Sequence, residues 1–484
     1  MNNDYQPSSA NMLKFIIMSV IGVFLFMVPI PDGEGAFNIP LGYAISWVGS
    51  AINSVNVNGF GLLFLIAAIL ITISSIGSIV AYTVKPGFIM SNEKLERLFR
   101  CNIIYFVSKI IGTVLVWLIF FDIGPDWLIG WEGGRLMMML IGDGSSNLMS
   151  IFIILGIAIP LLTDFGIMEF LGILIRKAVR FLFTLPGRSS IDLLGSWFSS
   201  SAASVIITRD QHERGYYTGR EAAAICVNFT LVSLPFTFVI ADTVGLMPHF
   251  PLFYLVICVT SILLAVVMPR IWPLRRIKDE YLPEVGKQIN EEVPDDTSLF
   301  KQATTLASER ASQTGVTDVV KSGVSNWLNI FMDLIPVILA WGTIALIIEA
   351  QTPIFDWIAF PFRWFLELLR VEGAAAYAPA TIVGFIDMFI PAILLSAPER
   401  VYEYVVGYGY QYVAIDGTFA TPIATRFILG TLSIVQIIYL AETGILILKS
   451  KIPLNIGHLA IIFVMRTVFA LPIIVLLTRL LFNP

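Results

Sequence analysis

Charge is what this sequence has least of. Only 13% of its 484 residues are Asp, Glu, Lys or Arg, against roughly 25% in a soluble chain. So little polar side chain cannot cover a water-exposed globule, which excludes a soluble protein of this length. Histidine and cysteine are scarce too, three of each. His212, His249 and His458 are scattered, and Cys101, Cys226 and Cys258 lie in or beside apolar runs. Neither set has metal-ligand spacing or forms a disulfide framework, so no structural zinc or haem is expected. No P-loop or other nucleotide fingerprint points to ATP as an energy source. No cofactor is expected, and the lack of a paired nucleophile and base makes a membrane enzyme the least supported class. The net charge is −5 with the basic residues dispersed, which argues against nucleic acid as a partner.

What is present is apolar. The chain is 57% hydrophobic, with a mean hydropathy of +0.82. Apolar stretches recur at 13–30, 57–82, 103–121, 148–162, 222–241, 251–269, 327–348, 374–396, 420–440 and 455–481. Most approach the ~20 residues that cross a bilayer as a helix, and membrane helices tolerate the Gly and Pro they contain. The ~10-residue alternating segments of a β-barrel are absent from the sequence. The first run follows the polar leader MNNDYQPSSANMLK without an A-x-A-like cleavage site, and reads as a retained span. Basic residues near span ends set the topology. Lys85, Lys94, Arg97 and Arg100 place 85–100 in the cytoplasm, and Arg270, Arg275, Arg276 and Lys278 do the same for 270–322. The stretch 31–58 has no Lys or Arg, and 397–419 has only Arg400; both are placed outside. A multi-pass protein of a bacterial inner membrane with a cytoplasmic N-terminus is expected.

The one long polar segment, 271–322, reads as a cytoplasmic linker, partly helical. It separates two halves that resemble each other. GSSNLMSIF (144–152) matches GVSNWLNIF (323–331) at five of nine positions. Each is followed by an apolar span and then an amphipathic basic stretch, IRKAVRFLF (175–183) and FPFRWFLELL (360–369). Next come the interrupted apolar segments LLGSWFSSSAAS (193–204) and VGFIDMFIPAIL (383–394), and then a last span in each half. The chain therefore divides into leading spans (1–140), a first repeat (141–270), the linker, a second repeat (323–450) and a C-terminal span (451–484). Counting spans from inside inverts one repeat against the other if 189–207 and 374–396 are re-entrant hairpins. Inverted repeats with broken helices are a secondary-transporter arrangement, with solute held near the midplane. Re-entrant backbone at that depth must be buried in protein or line a wet cavity.

Polar residues at these breaks are the candidate site. Ser199, Ser200, Ser201 and Ser204 crowd the first hairpin, either as solute contacts or as small residues for close packing with hydroxyls bonded back to the preceding turn. Asp387 is the only charged residue from Ala374 to Ser396. A carboxylate in the bilayer interior faces a cavity or a partner. It reads as a cation ligand, a protonatable coupling group or a binder of an amine or hydroxyl; the alternative is a structural pair with Arg426. Pro391, four residues on, reads as the helix break. In the closing spans, Asn228 and Ser233 join one face if Pro235 loosens the turn before it. Arg426 and Gln436 share a broad face, where Arg426 either takes an anionic solute group or snorkels to the interface. Asp164 is a second candidate for ion coupling. Asn147 and Asn326 read as helix caps, and the five tyrosines of YEYVVGYGYQYV (402–413) as an interfacial belt.

The stretch LPGRSSIDLLGSWFSSSAASVIITR (185–209) resembles the nucleoside-recognition, or Gate, domain. Concentrative nucleoside transporters, the membrane part of FeoB and the spore-maturation membrane proteins share that domain. FIPAILLS (389–396) looks like the hairpin of a second copy, and the whole layout looks most like the YjiH family. The resemblance implies an all-α polytopic membrane protein with about 8–10 spanning helices and two re-entrant hairpins in two inverted Gate-type repeats. Nucleoside transporters carry Gln, Thr and Glu in the first hairpin, where this chain has serines. FeoB carries Cys and a GTPase domain, and this chain has neither there. The expected function is secondary active transport of a small polar organic solute (nucleoside-like, amino acid or peptide, or carboxylate) by alternating access. H+ or Na+ would be the coupling ion, with the lipid bilayer as surroundings and the leading spans available for homo-oligomer contacts. The alternative is a non-transporting assembly or signalling protein of the spore-maturation type.

Overall fold

The computed structural model describes residues 8–31, 37–57, 60–100, 103–129, 148–187, 189–198, 201–288, 298–329, 331–332, 335–396, 400–405, 409–414 and 419–482. Ser199, Ser200 and Asn147 lie outside them. The protein is an all-α polytopic membrane protein, as expected. Helices Ser9–Met27, Leu62–Thr83 and Ile456–Phe482 and the segment Met247–Arg270 are long and apolar enough to cross a membrane. The helical pieces Tyr105–Phe120, Met149–Leu161, Ile335–Ile344, Ala374–Val383 and Ile423–Val435 are apolar but shorter. Hydrocarbon offers no hydrogen bonds, so backbone groups must pair within a helix or be met by other protein groups.

Several apolar stretches of the sequence are split. The run 222–241 becomes Gly219–Asn228 and Leu234–Thr243. The run 374–396 becomes Ala374–Tyr377, Ala380–Val383 and Ile390–Leu395. Pro391 sits in the first turn of Ile390–Leu395, where its missing N–H leaves no bond unmade. It therefore begins the downstream piece, and the break lies ahead of it. The tyrosine-rich segment pairs as an antiparallel ribbon, Arg400–Val405 with Gly409–Ala414, placing Tyr402 opposite Tyr412 and Tyr404 opposite Tyr410.

The chain forms two compact units. One comprises 38–158 and 317–358. In it Ile103–Phe120 packs against both Leu62–Thr83 and Ile335–Gln351. Small residues let these backbones approach: a Cβ on Gly112 would lie 2.9 Å from the Pro336 carbonyl, and one on Gly323 only 2.6 Å from the Gly156 carbonyl. Buried hydroxyls tie the same helices. Ser75 Oγ donates to the Lys109 carbonyl, and Trp341 Nε1 donates to Ser108 Oγ at 3.0 Å. The aligned phenylalanines of the two sequence repeats, Phe152 and Phe331, meet edge to face, with centroids 6.1 Å apart. A residue touching its own counterpart is what a two-fold relation between the segments would produce.

The other unit comprises 1–37, 159–316 and 359–484. Part of the polar linker belongs to its packing. Helix Leu299–Gln313 buries Ala303, Ala307 and Ala311, one per turn, against Ser9–Met27 and Ile167–Phe183. Gly166 has φ 103, and a Cβ there would collide with the Ala307 carbonyl.

Gly323→Leu forces apart a helix contact closed by backbone, and overpacking of this kind costs about 1–3 kcal/mol. A melting midpoint several degrees lower is expected for the detergent-purified protein. Gly87→Ala, where a Cβ meets nothing within 4 Å, leaves the midpoint unchanged.

Candidate functional site

Two helices of the 1–37/159–316/359–484 unit stop inside buried protein. Gly219–Asn228 starts with a capping box, in which Thr218 Oγ1 accepts from Glu221 N–H and the Glu221 carboxylate from Thr218 N–H. It ends at Asn228, and the chain crosses the fully buried Thr230, Leu231 and Val232 unwound. It resumes at Leu234, with Ser233 Oγ accepting from Phe236 N–H as the cap. Ile423–Val435 ends before Gln436, and Ile437 then takes φ 67. For a β-branched residue that conformation is an outlier and holds roughly 1–3 kcal/mol of strain, a feature that clusters at functional sites.

A helix end leaves carbonyls without intrahelical partners, and here side chains meet them. The single hydroxyl proton of Tyr439 is shared between the carbonyls of Ser433 and Ile434, each 2.8 Å from Oη. Arg466, from the C-terminal span Ile456–Phe482, reaches both broken helices. Its Nε and Nη2 donate to the Val435 carbonyl at 2.9 and 2.7 Å, and its Nη1 donates to the Val227 carbonyl at 3.0 Å and to Asn228 Oδ1 at 2.9 Å. Asn228 Nδ2 in turn donates to the Ala224 carbonyl. Arg466 and Asn228 are both 0% exposed.

The broken segment from Ala374–Tyr377 to Ile390–Leu395 docks on the same place. Leu440 N–H donates to the Phe385 carbonyl at 2.9 Å. Gln436 Nε2 donates to the Thr381 carbonyl and to Thr467 Oγ1, both at 2.8 Å. Gln436 Oε1 is buried with no hydrogen-bond partner among the described residues. It faces Gly384, where a Cβ would collide with it. Three residues past that glycine, Asp387 is 5% exposed, and its Oδ1 accepts from Phe389 N–H at 2.8 Å. This local turn starts the downstream piece and is the one hydrogen bond to the Asp387 carboxylate among the described residues. Phe389 meets Phe236 of the first broken helix, with ring centroids 5.8 Å apart.

The hydrogen bonds thus join Asn228, Gln436 and the Asp387 hairpin through Arg466 and Thr467, two residues absent from the sequence reading. The available signal was Arg466 itself, an arginine inside a 27-residue apolar helix, because ionisable residues in membrane helices default to function. Ser233 is a helix cap at the first break, and Ser201 and Ser204 are buried at the start of Ser201–Glu213. Arg426 does not pair with Asp387. Its Nε donates to the Thr421 carbonyl and its Nη1 to the Val244 carbonyl, and its guanidinium lies 4.0 Å from the centre of the Phe419 ring. Asp164 lies at the linker helix, 3.9 Å from Arg310, which also approaches Glu169 at 3.8 Å. Among the described residues no group of three or more His, Cys, Asp or Glu side chains is placed to hold a metal.

Residues 145–247 match the family model described as Gate, nucleoside recognition, which bears out the resemblance seen in the first half. An uncharacterized protein of Alkalihalophilus pseudofirmus is 38% identical over 479 residues, covering 98% of this chain and 96% of that protein. An outward-facing variant of CNTnw is similar at a TM-score of 0.43 and 13% identity, covering 97% of this chain and all of that one. Inward-facing, substrate-bound CNTnw scores 0.41 at 13% identity, covering 96% and 98%.

Tyr439→Phe removes the hydroxyl donor of two buried carbonyls. Losing this one shared donor costs about 1–3 kcal/mol, so a melting midpoint lowered by a few degrees is expected in the purified protein.

Proposed function

Because this chain belongs to the same family as its Alkalihalophilus pseudofirmus relative and carries a nucleoside-recognition Gate match, we propose that it is a secondary active transporter of a small polar organic solute. The observation that carries this reading is the second break. There, among the described residues, a carboxylate with one local hydrogen bond and an amide oxygen with none are buried beside unwound backbone. An unmatched buried acceptor is unfavourable unless something donates to it. Asp387 and Gln436 Oε1 both accept, so the site suits a solute rich in N–H and O–H groups. That favours a nucleoside-like solute, an amino acid or a peptide over a simple carboxylate.

In this reading Asn228, Gln436 and Asp387 belong to the binding region, and Asp387 also carries the coupling charge. Arg426 holds the loop at the end of Leu234–Thr243, and Asp164 holds the linker helix. Ser201 and Ser204, buried at the start of Ser201–Glu213, are further polar groups assigned to the solute. Movement of the hairpins and broken helices past their surroundings opens the site to alternate faces. The setting is a bacterial inner membrane with the N-terminus inside, supported by the basic residues of 85–100 and 270–278.

Two experiments test this. A ligand that binds only the folded state raises the melting midpoint by mass action, about 2.7 kcal/mol at a hundred times Kd. Among nucleosides, amino acids, dipeptides and carboxylates, a donor-rich solute is expected to shift the midpoint. Gly384→Ala, which displaces the Gln436 amide, is expected to remove that shift. If no solute or ion shifts it, the assembly or signalling reading is favoured instead. In proteoliposomes, Asp387→Asn is expected to reduce ion-driven uptake at least tenfold; full uptake by that variant would refute the coupling role.

A further inference from the structure

Arg466 has an unusual set of partners for an arginine. Among the described residues it has no carboxylate partner. Its guanidinium is surrounded by oxygens from two helix ends, one in each half of the chain: the Val227 carbonyl, Asn228 Oδ1 and the Val435 carbonyl, at 2.7–3.0 Å. It is fully buried, with no exposed surface.

That oxygen set has a recognisable chemistry. Unwound carbonyls and the C-terminal ends of half-helices are what secondary transporters use to hold a coupling cation. Each helix C-terminus carries the equivalent of roughly half a negative charge, so two of them together match one monovalent cation. The Val227 carbonyl and Asn228 Oδ1 face one edge of the guanidinium and the Val435 carbonyl the opposite edge, so the three oxygens bracket a site for one positive charge, which a smaller cation fills together with bound water. Here the seat is taken by a side chain of the protein's own C-terminal span, and a guanidinium stays protonated under all ordinary conditions.

We propose that Arg466 is a tethered cation that permanently fills the coupling-ion seat between the two broken helices, so that Na+ does not bind or drive transport there. This rests on the transporter reading and sharpens it by leaving a proton on Asp387 as the coupling charge. Two further features fit. Gln436, next to the Val435 carbonyl that Arg466 holds, and Thr467, next to Arg466 in sequence, bond to each other, so the tethered charge is fixed directly behind the solute region. The solute region also retains its acceptors, the Asp387 carboxylate and Gln436 Oε1, because the arginine is occupied elsewhere.

The test is the melting midpoint of the full-length protein in detergent, titrated with NaCl against equal choline chloride. Wild type and Arg466→Lys, which keeps the charge, are expected to give identical midpoints in the two salts. Arg466→Ala is expected to melt lower in choline and to regain several degrees in a saturable, Na+-specific manner, because the seat is vacated. Arg466→Gln, which exchanges the charge for one more oxygen, carries the same expectation if the alanine variant does not survive purification. A saturable Na+-specific rise in wild type overturns the proposal and is readable without any variant. A purified alanine or glutamine variant that ignores Na+ also overturns it. The readout needs no solute, so its failure leaves the transporter reading standing with Na+ as a possible driver. The transporter reading itself fails on a different result, the absence of any midpoint shift with the solutes and ions of the panel.

Discussion

Two helices that end inside a membrane protein need donors for their last carbonyls, and one guanidinium supplies both. Arg466 bonds to Val227 and Asn228 at one end and to Val435 at the other, fixing two elements more than 200 residues apart in sequence. The other features of the candidate site depend on that junction. Val435 precedes Gln436, and Gln436 precedes the strained Ile437. Tyr439 folds back to take the two carbonyls that Arg466 does not. Burial without water makes each of these bonds expensive to lose. The break therefore stays open as a defined shape and does not close into regular helix.

On that platform the segment 374–396 sets its own break. Thr381 and Phe385 accept bonds from Gln436 and Leu440. Gly384 leaves room for the Gln436 carbonyl oxygen, and Asp387 turns the chain into its next piece. Thr381, Gly384, Asp387 and Gln436 are small or polar where a plain membrane helix would carry leucine. The protein gives up helical continuity at the places where polar groups are wanted, a trade that a bilayer permits only inside protein. A carboxylate and an amide oxygen that accept little from their own surroundings are a consequence of that trade, and they define what kind of solute fits.

Much of this was legible in the sequence, for physical reasons. Charged residues are so rare in apolar runs that Asp387 stands out alone, and the pattern of small and helix-breaking residues marks 374–396 as irregular. The Gate resemblance was visible because its motif is local. Other features were hidden. Pro391 reads as a break, yet it opens the piece that follows, because a first-turn proline loses no hydrogen bond. A pair with Arg426 is the alternative reading for Asp387, but the carbonyl partner of Arg426, Val244, lies 182 residues away and no local pattern announces it. The linker reads as polar, although Ala303, Ala307 and Ala311 at one-turn spacing already sketched a packing face. Arg466 and Thr467 belong to no repeated motif, because the internal repeat covers 141–270 and 323–450 and the last span lies outside both.

The claim that the Asp387–Gln436 break holds the solute is tested most directly by a structure of the protein with the solute that raises its melting midpoint. The account predicts ligand density within hydrogen-bond distance of the Asp387 carboxylate and Gln436 Oε1, with Arg466 still on the Val227 and Val435 carbonyls. Density seated elsewhere, with both acceptors unchanged, would contradict it.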